Sequence, residues 1–377
     1  VLAPGAIFVS YQAARGSLWA YVLERGAQPV IVPLGDLPEV DTMVVVLRTA
    51  LASDEPRRAP IWKTPAGRYV NALTEPVPGA LRFSPRALAA ELAHLLLAPL
   101  RAHLARARHI TIAADGTLGL LPFEILPFDG APLVATREIT YAPSLAVWNA
   151  LSRGARGTPA RDLVAFGAPD YARLRGTPAA AGPLTQLRWA PLPGAAREVA
   201  AVAGSFAAGR SRIFDGVDAT KANFVAANRS GELRQTRYLH VAAHGYLSPA
   251  APQWSAIVLG GDADAPGYIT AAELATYDIG AELVVLSACE TALGKDVAGE
   301  GLFGLPYALT VAGARSTLLT LWPVADASTA AFMQRFYAKL ARGTAPPRAL
   351  AETKREFLRD PKRRAPFHWA PFVLYGR

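Results

Sequence analysis

A single cysteine, Cys289, is all that a chain of 377 residues carries. No intramolecular disulfide can form and no multi-cysteine zinc site can be built, so disulfide-stapled secreted scaffolds are excluded and a reducing cytoplasm is the expected compartment. Long apolar runs are missing too. Stretches such as LVVLSA at 283–288 fall far short of the roughly 20 residues that a membrane-spanning helix needs, so no membrane association is expected. Residues 1–10 lack a basic start followed by a long apolar core, and no secretory signal is expected there. The chain opens on Val1 rather than methionine, which fits a piece of a longer protein. Lysine is scarce, at six positions (Lys63, Lys221, Lys295, Lys339, Lys354 and Lys362) among 39 basic residues.

The 39 basic residues stand against 30 acidic ones, a net charge of +9 that raises the question of a nucleic-acid partner. The arginines are scattered apart from short clusters at 101–108 and 362–364. An alanine-rich, arginine-for-lysine bias is what a GC-rich bacterial genome produces without selection for binding. Nucleic acid is therefore not the expected partner.

With 51% hydrophobic and 18% charged residues, the chain has ample material for a core, and global disorder is excluded. The segments AIFVSYQ, SLWAYVLE and QPVIVPL, separated by Arg15-Gly16 and Arg25-Gly26, alternate with period two and predict an antiparallel meander. Helices are expected over 37–53 and, behind Ser84-Pro85, to about residue 97. Residues 151–160 read as a linker or long loop. Beyond it, strands and helices alternate, with RYLHVAAHG and ELVVLSAC as strands and ELVVLSAC apolar enough to be buried on both faces. The expected fold class is α/β, a mostly parallel sheet flanked by helices, split into a first half at 1–157 and a second at 158–377. No internal repeat is found.

Ligands of open parallel sheets bind beyond the carboxyl ends of the strands. Two predicted strands end in reactive residues there: RYLHVAAHG in His244-Gly245 and ELVVLSAC in Cys289. As parallel neighbours, these strands would deliver an imidazole and a thiol to one edge. A thiol with an ordinary pKa of about 8.5 is mostly protonated at neutral pH, and an adjacent imidazole activates it. The backbone N–H groups of Gly245 and Cys289 are candidate donors to the developing oxyanion. Other motifs fail. Gly294-Lys295 lacks the first glycine and the Ser/Thr of a phosphate loop, and neither G-x-S-x-G nor H-E-x-x-H occurs. Gly261-Asp262-Ala263-Asp264 is too short for a calcium loop and reads as a solvated turn. No metal or other cofactor is expected.

The runs DGTLGLLPFEILPF, ITYAPSLAVW, RYLHVAAHGYLSP, ELVVLSACETALG, GEGLFGLPYALTVAGARSTLLTLWPVADASTAAFMQRFYAKL and FHWAPFVLYG together resemble the CHAT domain. That family belongs to the caspase-like cysteine peptidases, which also include separase. Caspases place their histidine about 50 residues before an Ala-Cys pair, an arrangement similar to His244 and Ala288-Cys289 here. The resemblance spans essentially the whole chain. It implies that His244 and Cys289 form a peptidase dyad and that a proteolytically inactive caspase-like half precedes the active one. Many family members carry tetratricopeptide repeats ahead of the domain. None is found here, and the resemblance implies an absent sensor or partner-binding region as regulator of a protein-cleaving site.

The resemblance also places Trp322 and Asp326 in the segment that lines the specificity pocket. There Asp326 would pair with a basic P1 side chain, or it would simply cap the following helix. Glu290 and Glu300 flank a glycine-bearing loop and either touch substrate or are solvated carboxylates. His240 reads as a satisfied core histidine, and His94, His103 and His109 carry no partner pattern. Two rivals to a peptidase stay open: a catalytically silent caspase-like scaffold, and a basic nucleic-acid-binding module.

Overall fold

The computed structural model describes all residues except 1, 15, 37–38, 53–60, 65–66, 72–79, 152–157, 175–186, 247, 249–250, 262–265, 288–300 and 325, with backbone only at 14, 71, 173, 301–303 and 326. Two compact units emerge: Val1–Ala150 with Leu350–Val373, and Leu151–Ala349 with Leu374–Arg377. The first unit thus takes in a late stretch of chain, 350–373, that lies within the second half of the sequence division at 157/158.

In the first unit the predicted meander forms β1 (Ala6–Ala14), β2 (Ser17–Glu24) and β3 (Val30–Asp36), antiparallel in succession. Gly26, at φ +73°, supplies the left-handed turn between β2 and β3. Helix α1 (Val40–Leu51) buries Met43, Val44, Leu47 and Leu51, residues spaced to share one face. Ser84 caps α2 (Pro85–Leu96) by accepting the Ala87 N–H at 3.0 Å, with Pro85 in the first turn where a missing N–H costs nothing. Strand β4 (His109–Ala114) lies parallel to β1, and β5 (Glu138–Tyr141) parallel to β4.

The second unit carries five parallel strands in the order β7-β6-β8-β11-β12. They are β6 (Arg161–Gly167), β7 (Ser211–Asp215), β8 (Thr236–Ala242), β11 (Leu283–Leu286) and β12 (Ser316–Thr320). Helices alternate with them: α3 (Pro193–Ala203), α4 (Lys221–Arg229), α5 (Gly301–Val311) and α6 (Asp326–Ala341). Every residue of β11 and β12 is buried, which explains the unbroken apolar run of β11, Leu283–Leu286. The last elements are α7 (Pro346–Arg359) and β13 (Phe372–Gly376). At the end of β13, the Ser316 hydroxyl donates to the Arg377 carbonyl at 2.5 Å.

One predicted strand is two. RYLHVAAHG leaves the parallel sheet after Ala242, and His244 opens a separate antiparallel sheet of β9 (His244–Tyr246), β10 (Ala256–Val258) and a further strand at Tyr268–Thr270. The Tyr171 hydroxyl accepts the His244 N–H at 2.9 Å, so the backbone group freed by this departure is satisfied off the sheet. The break fixes where the imidazole emerges.

Candidate active site

The carboxyl ends of β6, β8, β11 and β12 converge on one edge of the parallel sheet of the second unit. Adjacent registers pair Val241 with Leu286 and Val285 with Leu318, and the Ser287 N–H still reaches the Val241 carbonyl at 2.9 Å. A cavity of about 130 Å³ opens at this edge. Its walls are Ala243 and His244 from the β8–β9 turn, Ser287 past β11, Thr320, Pro323 and Val324 past β12, Thr329 of α6, and Leu192, Gly194, Ala195 and Glu198 around α3.

His244 is 1% exposed. Its Nε2 lies 2.8 Å from the Ala190 carbonyl oxygen. A carbonyl only accepts, so Nε2 carries a proton in this contact, and in the neutral ring the basic nitrogen is Nδ1. Two aromatic rings hold the imidazole, Tyr171 at 5.0 Å and Trp189 at 5.1 Å between centroids. Both are anchored: Tyr171 donates to the Val258 carbonyl at 3.2 Å, and Trp189 Nε1 donates to the Tyr268 hydroxyl at 3.0 Å. Tyr171, Tyr246, Ala256, Val258 and Tyr268 form an apolar cluster against which Trp189 and Leu192 pack. The ring is therefore held by a loop on one side and by the small sheet on the other.

Behind His244, the fully buried His240 faces Tyr337 and Glu198. Its Nδ1 is 3.1 Å from the Tyr337 hydroxyl and its Nε2 is 3.2 Å from Glu198 Oε1. The second contact is close but misaligned, and neither Glu198 Oε1 nor His240 Nε2 makes a hydrogen bond. Burial first, then the charge of Glu198, pushes the Tyr337 hydroxyl pKa well above its ordinary 10. His240 is thus a core histidine, as expected, but only half satisfied: Nδ1 meets the Tyr337 hydroxyl and Nε2 makes no hydrogen bond.

Gly245 is buried on β9, opposite Ile257. Trp322 is 1% exposed and is not among the lining residues, whereas its neighbours Pro323 and Val324 are. Cys289, Glu290, Gly294, Lys295 and Glu300 lie outside the described residues, as do 152–157 of the predicted linker and Asp262 and Asp264 of the predicted turn. Asp326 begins α6, and its side chain lies outside them too. No group of three or more histidine, cysteine, aspartate or glutamate side chains suited to a metal is found among the described residues. Nor is any described helix long and apolar enough to cross a membrane.

Sequence reasoning did not single out Tyr171, Trp189, Ala190 or Glu198. Glu198 left a readable signal. It sits among Ala195, Val199 and Val202, the buried stripe of α3, where a carboxylate is out of place without a purpose.

Residues 86–377 match the family profile of the CHAT domain. The chain belongs to the CHAT family. Among curated proteins, a 108-residue stretch is 35% identical to mouse tetratricopeptide repeat protein 28 and, at 32%, to its human counterpart. That stretch is 29% of this chain and 4% of each relative's length. Among solved structures, 99% of this CHAT chain aligns with 30% of the separase chain in the Saccharomyces cerevisiae separase–securin complex, with a TM-score of 0.53 and 12% identity. At that identity the likeness concerns the fold: a mostly parallel sheet flanked by helices, of the kind found in caspase-like cysteine peptidases.

Proposed function

We propose that this CHAT domain is a cysteine endopeptidase in which Cys289 is the nucleophile and His244 the general base. The observation that carries the reading is the held imidazole. His244 lines a cavity at the carboxyl edge of β8 and β11, and Ser287, two residues before Cys289, lines the same cavity. In the proposed reaction, His244 takes the thiol proton at Nδ1 and the thiolate attacks the scissile carbonyl. The N–H groups of Gly245 and Cys289 donate to the oxyanion. Collapse breaks the C–N bond, with His244 returning the proton to the leaving amine. Water, deprotonated by His244, then attacks the thioester; the C–S bond breaks, the acid is released, and the proton on His244 returns to the Cys289 sulfur.

The substrate is a protein, with Trp322, Asp326 and Glu290 in its binding segment. The first half, 1–157, is the proteolytically inactive, pseudo-caspase-like part. A repeat-bearing region outside this chain regulates cleavage, in keeping with the tetratricopeptide repeats in the names of the curated relatives. One observation favours the second reading, a silent scaffold that binds partners: His244 is almost entirely buried. A panel of fluorogenic peptides separates the two. Turnover by the wild type that disappears in Cys289→Ala and His244→Ala supports the peptidase. Turnover that survives Cys289→Ala overturns it. Absence of turnover, together with no labelling by a thiol-reactive peptide, favours the scaffold.

A further inference from the structure

We propose that Glu198 is the specificity-determining carboxylate of this cavity, selecting a cationic P1 side chain, lysine or arginine. The proposal rests on the peptidase reading for its substrate, and on the cavity alone for its chemistry.

Glu198 is 5% exposed and lines the same space as His244, about 130 Å³. That volume is far above the roughly 10–15 Å³ that one water requires. A carboxylate taken out of water is costly unless it is paired and hydrogen-bonded. The neighbour that could compensate Glu198, His240, stands 3.2 Å away but misaligned, so Oε1 and the facing Nε2 both lack a hydrogen bond. A carboxylate on a cavity wall whose charge its buried neighbour does not meet with a hydrogen bond is open to an external donor from the cavity side. The rest of the lining agrees. Ser287, Thr320 and Thr329 add hydroxyls, and no lysine or arginine is among the described lining residues, so an acidic P1 side chain would meet the Glu198 charge with no described fixed cation beside it. An ammonium or guanidinium brings three to five donors and the missing positive charge. An apolar P1 side chain would bury Glu198 with nothing to pair it, the arrangement by which sites reject analogues lacking a polar group. Asp326, the other acidic candidate, begins α6 three residues before Thr329, another lining residue.

The test has two arms. In the first, kcat/KM is measured for peptides with P1 Arg, Lys and Leu on the wild type, Glu198→Gln and Asp326→Asn. The ratio of Arg and Lys over Leu is expected to fall about 10- to 100-fold in Glu198→Gln, the range of a charged hydrogen bond. An unchanged ratio, with all three peptides slowed alike, would mean that Glu198 only positions His240, and it overturns the proposal. So does a wild type that prefers Leu. If Glu198→Gln fails to fold, Glu198→Asp replaces it: the charge stays but retreats by one methylene, and the ratio is expected to fall at least about tenfold. In the second arm, benzamidine binding to Cys289→Ala is measured by calorimetry, with and without Glu198→Gln. Weaker binding in the double variant supports the proposal; equal binding, or none to Cys289→Ala, overturns it. A wild type that cleaves no peptide while its Cys289→Ala form binds benzamidine through Glu198 sinks the peptidase reading but not the assignment of the carboxylate.

Discussion

The imidazole of His244 is oriented by the Ala190 carbonyl, whose oxygen lies 2.8 Å from Nε2. A backbone dipole sets the tautomer without adding a charge, and its position depends on the 187–192 segment staying packed. That packing runs through Trp189 and Tyr171, the latter accepting the His244 N–H at 2.9 Å. Tyr171→Phe deletes this acceptor and leaves a buried N–H unmade, at a cost of about 1–3 kcal/mol. The expected result is a lower urea midpoint and a kcat reduced about tenfold, with KM little changed, because the base is displaced rather than the substrate pocket. Trp189→Ala is expected to act in the same direction through the ring contact. Full kcat in both variants would show that the aromatic cage is dispensable.

Gly167, the last residue of β6, sets how close α3 comes to the sheet. A Cβ there would stand 2.4 Å from Val199 Cγ2 and 3.3 Å from the Ala195 carbonyl oxygen. Val199 is 1% exposed and β-branched, so it cannot swing aside. Gly167→Ala is expected to cost about 1–3 kcal/mol as an overpacked core. It should also disturb the cavity, since α3 carries Ala195 and Glu198. Adding Val199→Ala makes room, so the double variant should recover stability relative to Gly167→Ala, as read by urea unfolding. Additive losses would mean that the helix does not rest on this contact.

Much of this architecture is legible from periodicity. Strand β11 announces itself as an apolar run because both its faces are covered, and the meander of β1 to β3 as short apolar segments punctuated by Arg15-Gly16 and Arg25-Gly26. The edge to which His244 comes follows from the same pattern. What the pattern misses is non-periodic. The departure of His244 from the parallel sheet depends on a hydroxyl 73 residues earlier in the chain, and the imidazole's acceptor lies in a proline-flanked loop where neither a period of 2 nor of 3.6 applies. The grouping of 350–373 with the first unit is equally invisible locally, since it is fixed by side chains such as Lys354 that meet partners more than 200 residues away.

Lys354 and Glu124 form a buried ion pair at 2.6 Å within the first unit, each about 1% exposed, and Tyr141 donates its hydroxyl to the same carboxylate. Lys354→Met leaves Glu124 uncompensated and is expected to destabilise by about 3–5 kcal/mol. Combining it with Glu124→Leu should cost less than Lys354→Met alone, since two apolar side chains then replace the pair. Burial lowers the Lys354 pKa below its ordinary 10.5, and Glu124 offsets part of that effect. Between the folded value and 10.5, the unfolded chain holds a proton that the folded chain has released. Lys354 therefore costs stability below its folded pKa, and the cost is relieved as pH rises toward 10.5. The stability of wild type minus Lys354→Met should accordingly grow in alkaline buffer. A difference that shrinks there would place the shift in the opposite direction.

Because Cys289 is the sole thiol, its reactivity can be read on the whole protein without a background of other cysteines. Alkylation by iodoacetamide proceeds through the thiolate, so its rate against pH reports how the thiol ionises. An isolated thiol would follow an ordinary pKa of about 8.5. If the proposed dyad is assembled, the rate at neutral pH should exceed that of a free cysteine and its midpoint should lie below 8.5, because the imidazole of His244 accepts the proton. His244→Ala should slow labelling at neutral pH by about tenfold or more and move the midpoint back upward. Tyr171→Phe, which keeps the imidazole but loosens its seat, should fall between the two. A wild-type profile that already matches a free thiol, and does not change in His244→Ala, would mean that His244 and Cys289 do not meet in this chain. The cavity at the carboxyl edge of β8 and β11 would then be a binding site rather than a catalytic one.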